Sequence, residues 1–314
     1  MAVGAGALPA RSGATTPLHK ILDGEIRMIG SLELFQPTTV QEASQALAEL
    51  GDKAKIYAGG AELLLLLRNG LLQSEVLVDV KRIERLHRLE MDNGVLRIGA
   101  CVTHHALENS ALVREHAPAL AYAESQVANV RVRNQGTLGG NLAFNDPHSD
   151  PGTVLLIHNA WLATGNQNSE RRVALSDFFV DMYATALEAG DLLLEVEIPR
   201  LPAGMKSVYQ RLHRYQRPTL GVAVGAAMRN GVIEEVRLAV GCVGPKAERL
   251  TELELKISGA KLNDARRILS EETKYLRALL RPVDDLLGSA DYKLYMTGVM
   301  LADALEQAGQ NGNG

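Results

Sequence analysis

The sequence predicts an α+β protein of two domains, and three observations carry that expectation. A chain of 314 residues is longer than a single core organises comfortably. Up to about residue 200, short strand-like and helix-like segments alternate, punctuated by glycine. From Leu201 the texture changes to longer antiparallel strands, and beyond Gly244-Pro245 it is mainly helical, sheet first and helices after. The expected partition is an extension over 1–26, a first domain over 27–200, a second over 201–308 and a frayed tail over 309–314.

Each element has a local reason. Gly4, Gly6, Pro9, Gly13 and Pro17 interrupt any periodicity before about residue 25, so this part reads as a flexible extension. Thr39 and Glu42 have capping-box spacing, and Val40, Ala43, Leu47 and Leu50 mark one face of the helix that follows. Residues 55–58 read as a strand, Gly59-Gly60 as a turn, 62–68 as a short buried helix and 76–80 as a returning strand. Asp92-Asn93-Gly94 between two apolar runs predicts a hairpin. Thr103 is a candidate cap, and Pro118 suits the first position of a helix reaching about Ala128. Residues 133–150 read as one loop, followed by a helix-like 153–158 and strands over 160–164 and 192–198. In the second domain, strands are expected over 207–213, 220–228 and 232–240. Asn230-Gly231 joins the last two, and helices then run to about Glu306.

Composition excludes several functions. A net charge of -4, a pI near 6.1 and 4% aromatics argue against a nucleic-acid binder. Two cysteines, Cys101 and Cys242, are too few to hold an iron–sulfur cluster or a disulfide framework, which makes a reducing cytoplasm the default. The apolar run over 63–67 is far short of a membrane span, and no signal peptide is evident.

Chemistry concentrates in two glycine-bearing segments. Ala58-Gly59-Gly60-Ala61-Glu62 follows a strand and precedes a helix, an arrangement that lets backbone N–H groups approach phosphate oxygens. Arg133-Asn134-Gln135-Gly136-Thr137-Leu138-Gly139-Gly140-Asn141, continuing to Pro147, Ser149 and Asp150, adds neutral donors and a carboxylate suited to polyol hydroxyls. A Gly-Gly pair is also a common tight turn. Neither segment has the G-x-G-x-x-G or Gly-Lys-Ser/Thr spacing. His104 and His105 are adjacent, cannot both face one metal, and read as surface or cap residues. Arg211, Arg214 and Arg217 form a basic cluster, either a solvated strand and turn or a phosphate or partner contact. The residues by themselves stop at a binder of an anionic small molecule.

The order of these motifs resembles the FAD-binding subunit of the molybdenum hydroxylases, the xanthine dehydrogenase and carbon monoxide dehydrogenase flavoprotein family. Ala58–Glu62 is similar to its A-G-G loop, and 132–141 with Pro147, Ser149 and Asp150 to its I-R-N-x-x-T-I-G-G-N…P-x-S-D signature. Thr103, Glu197-Ile198-Pro199 and the 244–249 stretch also fall in order, so the resemblance covers roughly 27–306. It implies an FAD-binding domain of the vanillyl-alcohol-oxidase/p-cresol-methylhydroxylase (PCMH) type, built of two subdomains, followed by the family's α+β C-terminal domain. It implies that Ile56, Tyr57, Ala58, Gly59, Gly60, Ala61, Glu62 and Leu63 wrap the FAD diphosphate, faced by Thr137, Gly139, Gly140 and Asn141. Asp150 would bind ribityl or ribose hydroxyls, while Val127, Leu193 and Arg211 fall at further flavin-contacting positions. Ala61 replaces the usual Thr or His, and Thr219 stands where an Asp often pairs the basic strand, leaving Arg211 without that partner.

The implied role is an oxidoreductase subunit for electron transfer, with no acid, base or nucleophile of its own. Electrons would come from [2Fe-2S] clusters on a small subunit, fed by a molybdenum cofactor on a large one, in an expected dimer of heterotrimers. Two other readings stay open: a stand-alone flavin reductase on the same fold, and a scaffold subunit without FAD.

Overall fold

The computed structural model describes residues 19–21, 24–26, 32–213 and 217–310. Residues 1–18 and 22–23 of the expected extension over 1–26, Arg214, and residues 311–314 of the expected tail over 309–314 lie outside the described residues. His19–Ile21 pairs antiparallel with Gly24–Ile26, a small hairpin that the sequence did not announce.

The first domain has two lobes. In one, a parallel sheet runs in the order Glu33–Phe35, Val76–Asp79, Ala54–Tyr57. Helix Val40–Leu50 packs beside it with both halves of the Thr39/Glu42 capping box formed, as its spacing requires. The helix at 62–68 is present as Leu63–Arg68, but it is not buried: Leu67 alone is covered, and Leu65 is 50% exposed. A helix this short offers the core one narrow face, so a run of leucines cannot all point inward.

The other lobe is an antiparallel sheet ordered Leu89–Asp92, Val95–Gly99, Leu192–Pro199, Trp161–Gly165, Glu170–Ala174. The hairpin turn has Asn93 and Gly94 at φ 48° and 81°, the left-handed pair that a two-residue connection needs. Helices His104–Asn109, Ala111–His116, Pro118–Gln126, Val130–Gln135, Leu138–Phe144 and Pro151–Ile157 cover it.

The expected loop over 133–150 is therefore largely helical. Asn129 accepts from the Arg131 and Val132 amides and starts one helix, while Thr137 accepts from the Gly140 amide and starts the next.

The second domain opens with an antiparallel sheet of Lys206–Leu212, Leu220–Arg229, Val232–Gly241 and Glu248–Arg249. Asn230 and Gly231, at φ 52° and 75°, make the expected hairpin turn. Helices Thr251–Ile257, Leu262–Glu271, Thr273–Leu280 and Ala290–Gln310 follow. Period-two alternation explains how one sheet serves two cores. Leu220, Val222 and Val224 join Leu294, Leu301 and Leu305 in one core, while Ala223, Ala239 and Tyr209 enter the core of the first domain. The last helix runs to Gln310. Among the described residues no helix is long and apolar enough to cross a membrane.

Candidate functional site

The strand Ala54–Tyr57 is an edge of the parallel sheet, and Ala58–Glu62 leaves its carboxyl end, the position where open α/β sheets place ligands. Gly60 sits at φ 73°, a left-handed conformation that glycine adopts without strain. Among the described residues, the amides of Gly59, Gly60, Ala61, Glu62 and Leu63 donate to no protein acceptor. Five consecutive N–H groups without a protein acceptor are available to anionic oxygens.

The second segment is built from behind. Leu138 N–H donates to the Val102 carbonyl at 3.0 Å, Gly139 N–H to Ala100 at 3.1 Å and His104 N–H to Gly136 at 3.1 Å. A Cβ on Gly139 would fall 2.6 Å from the Ala100 backbone, so glycine is required there for packing. The Gly139 amide is thus engaged by the protein itself. The Gly140 amide is likewise engaged, by Thr137 Oγ1, but this residue is exposed, and a Cβ there would meet only that oxygen, at 3.0 Å. Asn141 Oδ1 accepts from Ser149 Oγ at 2.6 Å, which fixes the amide's orientation.

The two glycine segments touch backbone to backbone. A Cβ on Gly59 would lie 2.0 Å from the Gln135 carbonyl oxygen and 2.9 Å from Gly136 Cα. Nearby, Glu62 is pushed above the usual carboxylate range by burial and by Asp146, with Arg217 opposing. Arg217 pairs with Asp146 at 2.9 Å.

Three of the expected residues have surroundings that spacing alone did not supply. Asp150 is buried, receives the Tyr209 hydroxyl at 2.5 Å and lies 3.4 Å from Arg211. Burial pushes its carboxyl up to about 6, against the pull of Arg211 and Tyr209. Arg211 is not solvated: its side chain is buried, and with no Asp at 219 it pairs with Asp150 and donates to the Gln126 carbonyl. His104 is no surface residue. Its Nδ1 is 2.5 Å from Glu124 Oε2, and both side chains are enclosed. A histidine beside another histidine gives no sign of a carboxylate on a different helix, so spacing could not find this pair.

The remaining positions connect through neighbours. Val127 follows Gln126 at the end of helix Pro118–Gln126 and is half-buried, its carbonyl accepting from Arg133 at 3.1 Å. Leu193 is buried in the central strand beside a register shift, and the carbonyl of Leu194 takes the Ala100 N–H at 3.0 Å. Ile56 is 37% exposed, and Tyr57, Ala58, Ala61 and Leu63 are half-buried. Tyr209, Gln126 and Glu124 are members of this region that sequence reasoning missed.

Residues 29–201 match the FAD binding domain in molybdopterin dehydrogenase, and residues 208–308 match the CO dehydrogenase flavoprotein C-terminal domain. The chain belongs to the flavoprotein family of the molybdopterin dehydrogenases. The carbon monoxide dehydrogenase medium chain of Hydrogenophaga pseudoflava is 31% identical to this family member over 88% of the chain and 96% of the relative. The xanthine dehydrogenase FAD-binding subunit of Escherichia coli O157:H7 is 26% identical over 86% and 93%. Among solved structures, quinoline 2-oxidoreductase from Pseudomonas putida 86 superposes with a TM-score of 0.83 at 28% identity, covering 90% of this chain and 98% of that one. The expected family and fold, an FAD-binding domain followed by the flavoprotein C-terminal domain, are met.

The residues fit the family's cofactor. The unengaged amides of 59–63 suit a diphosphate, and the lack of a side chain on exposed Gly140 leaves room for close approach. Ala61 offers no side-chain donor, so its backbone amide is what it can contribute.

Proposed function

We propose that this chain is the FAD-carrying medium subunit of a multi-subunit molybdenum-dependent dehydrogenase, an oxidoreductase component that relays electrons. The observation that carries the reading is the run of free amides at 59–63, held against the backbone of the Gln135-Gly136 turn. FAD, when bound, supplies the electron exchange between a partner's iron–sulfur cluster and an external acceptor. The chain's residues supply the grip. Gly59, Gly60, Ala61, Glu62 and Leu63 direct amides at the diphosphate, Ile56 and Tyr57 lead the chain into that turn, and Gly140 with Thr137 and Asn141 faces it. Asp150 contributes through Arg211, whose guanidinium it orients beside Gln126 and Val127. Leu193 supports the wall through the Leu194–Ala100 bond. No side chain here needs to act as acid or base.

A large molybdopterin-binding subunit and a small [2Fe-2S] subunit are the partners of this reading, in a dimer of such heterotrimers located in the cytoplasm. Medium-chain relatives that match over nearly their whole length support it over a stand-alone reductase. The FAD-free scaffold reading has only Ala61 and Thr219 in its favour.

Gly140→Val tests the site, because an added Cβ would meet only the Thr137 hydroxyl among the protein's own atoms. The expected result is a folded chain with near-wild-type thermal stability that no longer retains FAD. Full flavin content in that variant, read from visible absorbance, overturns the assignment.

A further inference from the structure

Under the 58–62 turn lies a lysine that neither composition nor motif singled out. Lys81 Nζ is 2.8 Å from Asp79 Oδ1, donates to the Ala58 carbonyl at 3.2 Å and sits 3.6 Å from the centroid of the Tyr57 ring. An ammonium has three N–H donors; here it reaches Asp79 and the Ala58 carbonyl and faces the Tyr57 ring, while the side chain stays 40% exposed. The Tyr57 ring in turn packs under Gly60, where a Cβ would fall 2.3 Å from the ring edge. Asp79 is itself fixed: it is buried at the end of the central strand and accepts from Gln36 Nε2 at 3.0 Å and from Lys81 N–H at 3.2 Å. The order is therefore continuous, from buried Asp79 to Lys81, from Lys81 to both Ala58 and Tyr57, and from Tyr57 to the left-handed Gly60.

From this juxtaposition we infer that Lys81 is a positioning residue for the diphosphate half of the cofactor: with Tyr57 it fixes the conformation in which the 59–63 amides converge. The inference rests on the reading of the 59–63 turn as a diphosphate grip. Lys81 acts through the turn and not as a bare counter-charge, because Asp79 already neutralises it at 2.8 Å. A free glycine turn samples many conformations, and each amide not aimed at the ligand adds an ordering cost to binding.

The test uses the full-length chain reconstituted with FAD. Lys81→Met keeps the length of the side chain but removes the ammonium, and Tyr57→Leu attacks the same stack from the ring. Each is expected to weaken FAD binding by about tenfold or more. At saturating FAD each should shift the phosphorus NMR resonances of the bound diphosphate while leaving the visible flavin band unchanged. Lys81→Arg retains a cation over the ring and is expected to restore binding to within about threefold of wild type. Wild-type affinity and unshifted phosphorus resonances in both Lys81→Met and Tyr57→Leu overturn the inference. So does a loss that alters the flavin band but not the phosphorus signals, since that is general loosening. If Gly140→Val loses FAD while Lys81→Met does not, the positioning role alone falls. If Gly140→Val keeps FAD, the underlying site assignment falls with it.

Discussion

Asp150 and His158 are buried ionisable groups that respond to pH in opposite senses. Burial raises Asp150 from the usual 3.8 to about 6, against Arg211 and Tyr209. Burial lowers His158 from 6.5 to about 4, opposed by its hydrogen bond to the Pro199 carbonyl. Between roughly pH 4 and 6 the folded chain holds a proton on Asp150 that the unfolded chain has lost, so this group makes stability fall as pH rises. Across nearly the same window the unfolded chain protonates His158 and the folded chain does not, so this group makes stability rise with pH. The two slopes largely cancel in the wild type. Asp150→Asn should therefore make stability climb more steeply with pH than in wild type, and His158→Gln less steeply. Each change should be on the order of 1 kcal/mol per pH unit. Denaturant unfolding of the cofactor-free chains at pH 4, 5 and 6 reads the slopes directly. Equal slopes in all three proteins would show that neither group is shifted.

At the level of elements, the helix pair Val130–Gln135 and Leu138–Phe144 shows what local sequence cannot announce. Thr39 and Glu42 announced their helix, because both halves of the capping box lie within four residues. Thr137 caps its helix without that partner: the third position holds Gly140, and three glycines nearby favour a loop reading. The carbonyls of Ala100 and Val102, remote in sequence, satisfy the first amides and offset the weak propensity of the segment. The Asn93-Gly94 and Asn230-Gly231 hairpins were legible for the opposite reason, since their geometry is set by two residues. Thr137→Ala is expected to cost about 1 kcal/mol of stability. It should also weaken FAD retention, measurable by denaturant unfolding and flavin titration of the same sample. Unchanged values in both would show that the cap is dispensable.

For the whole molecule, the change in texture near Leu201 announced two domains, but nothing in it announced how they join. The seam is set by Tyr209, whose hydroxyl reaches Asp150 from the opening strand of the second domain, and by Arg211 one residue pair further on. Alternation along that strand fixes which side chains reach the first domain, while their partners depend on packing between segments far apart. Tyr209→Phe leaves a buried carboxylate short of one donor and is expected to destabilise the chain by about 1–3 kcal/mol. Paired Tyr209→Phe and Asp150→Asn variants, analysed as a double-mutant cycle, measure that coupling. Strict additivity would mean that the hydroxyl–carboxylate contact does not hold the seam.

The backbone contact between Gly59 and the Gln135-Gly136 turn has a consequence for biosynthesis. One side of that contact emerges from the ribosome early, and the other only after the intervening hairpin and four further helices. Closing a contact so distant along the chain carries a loop-closure cost that local contacts do not. A truncated or misfolded product would therefore lack the binding cleft even with its first lobe intact, and could not sequester scarce flavin. Flavin content, and with it the yellow colour, would therefore report that both lobes have formed.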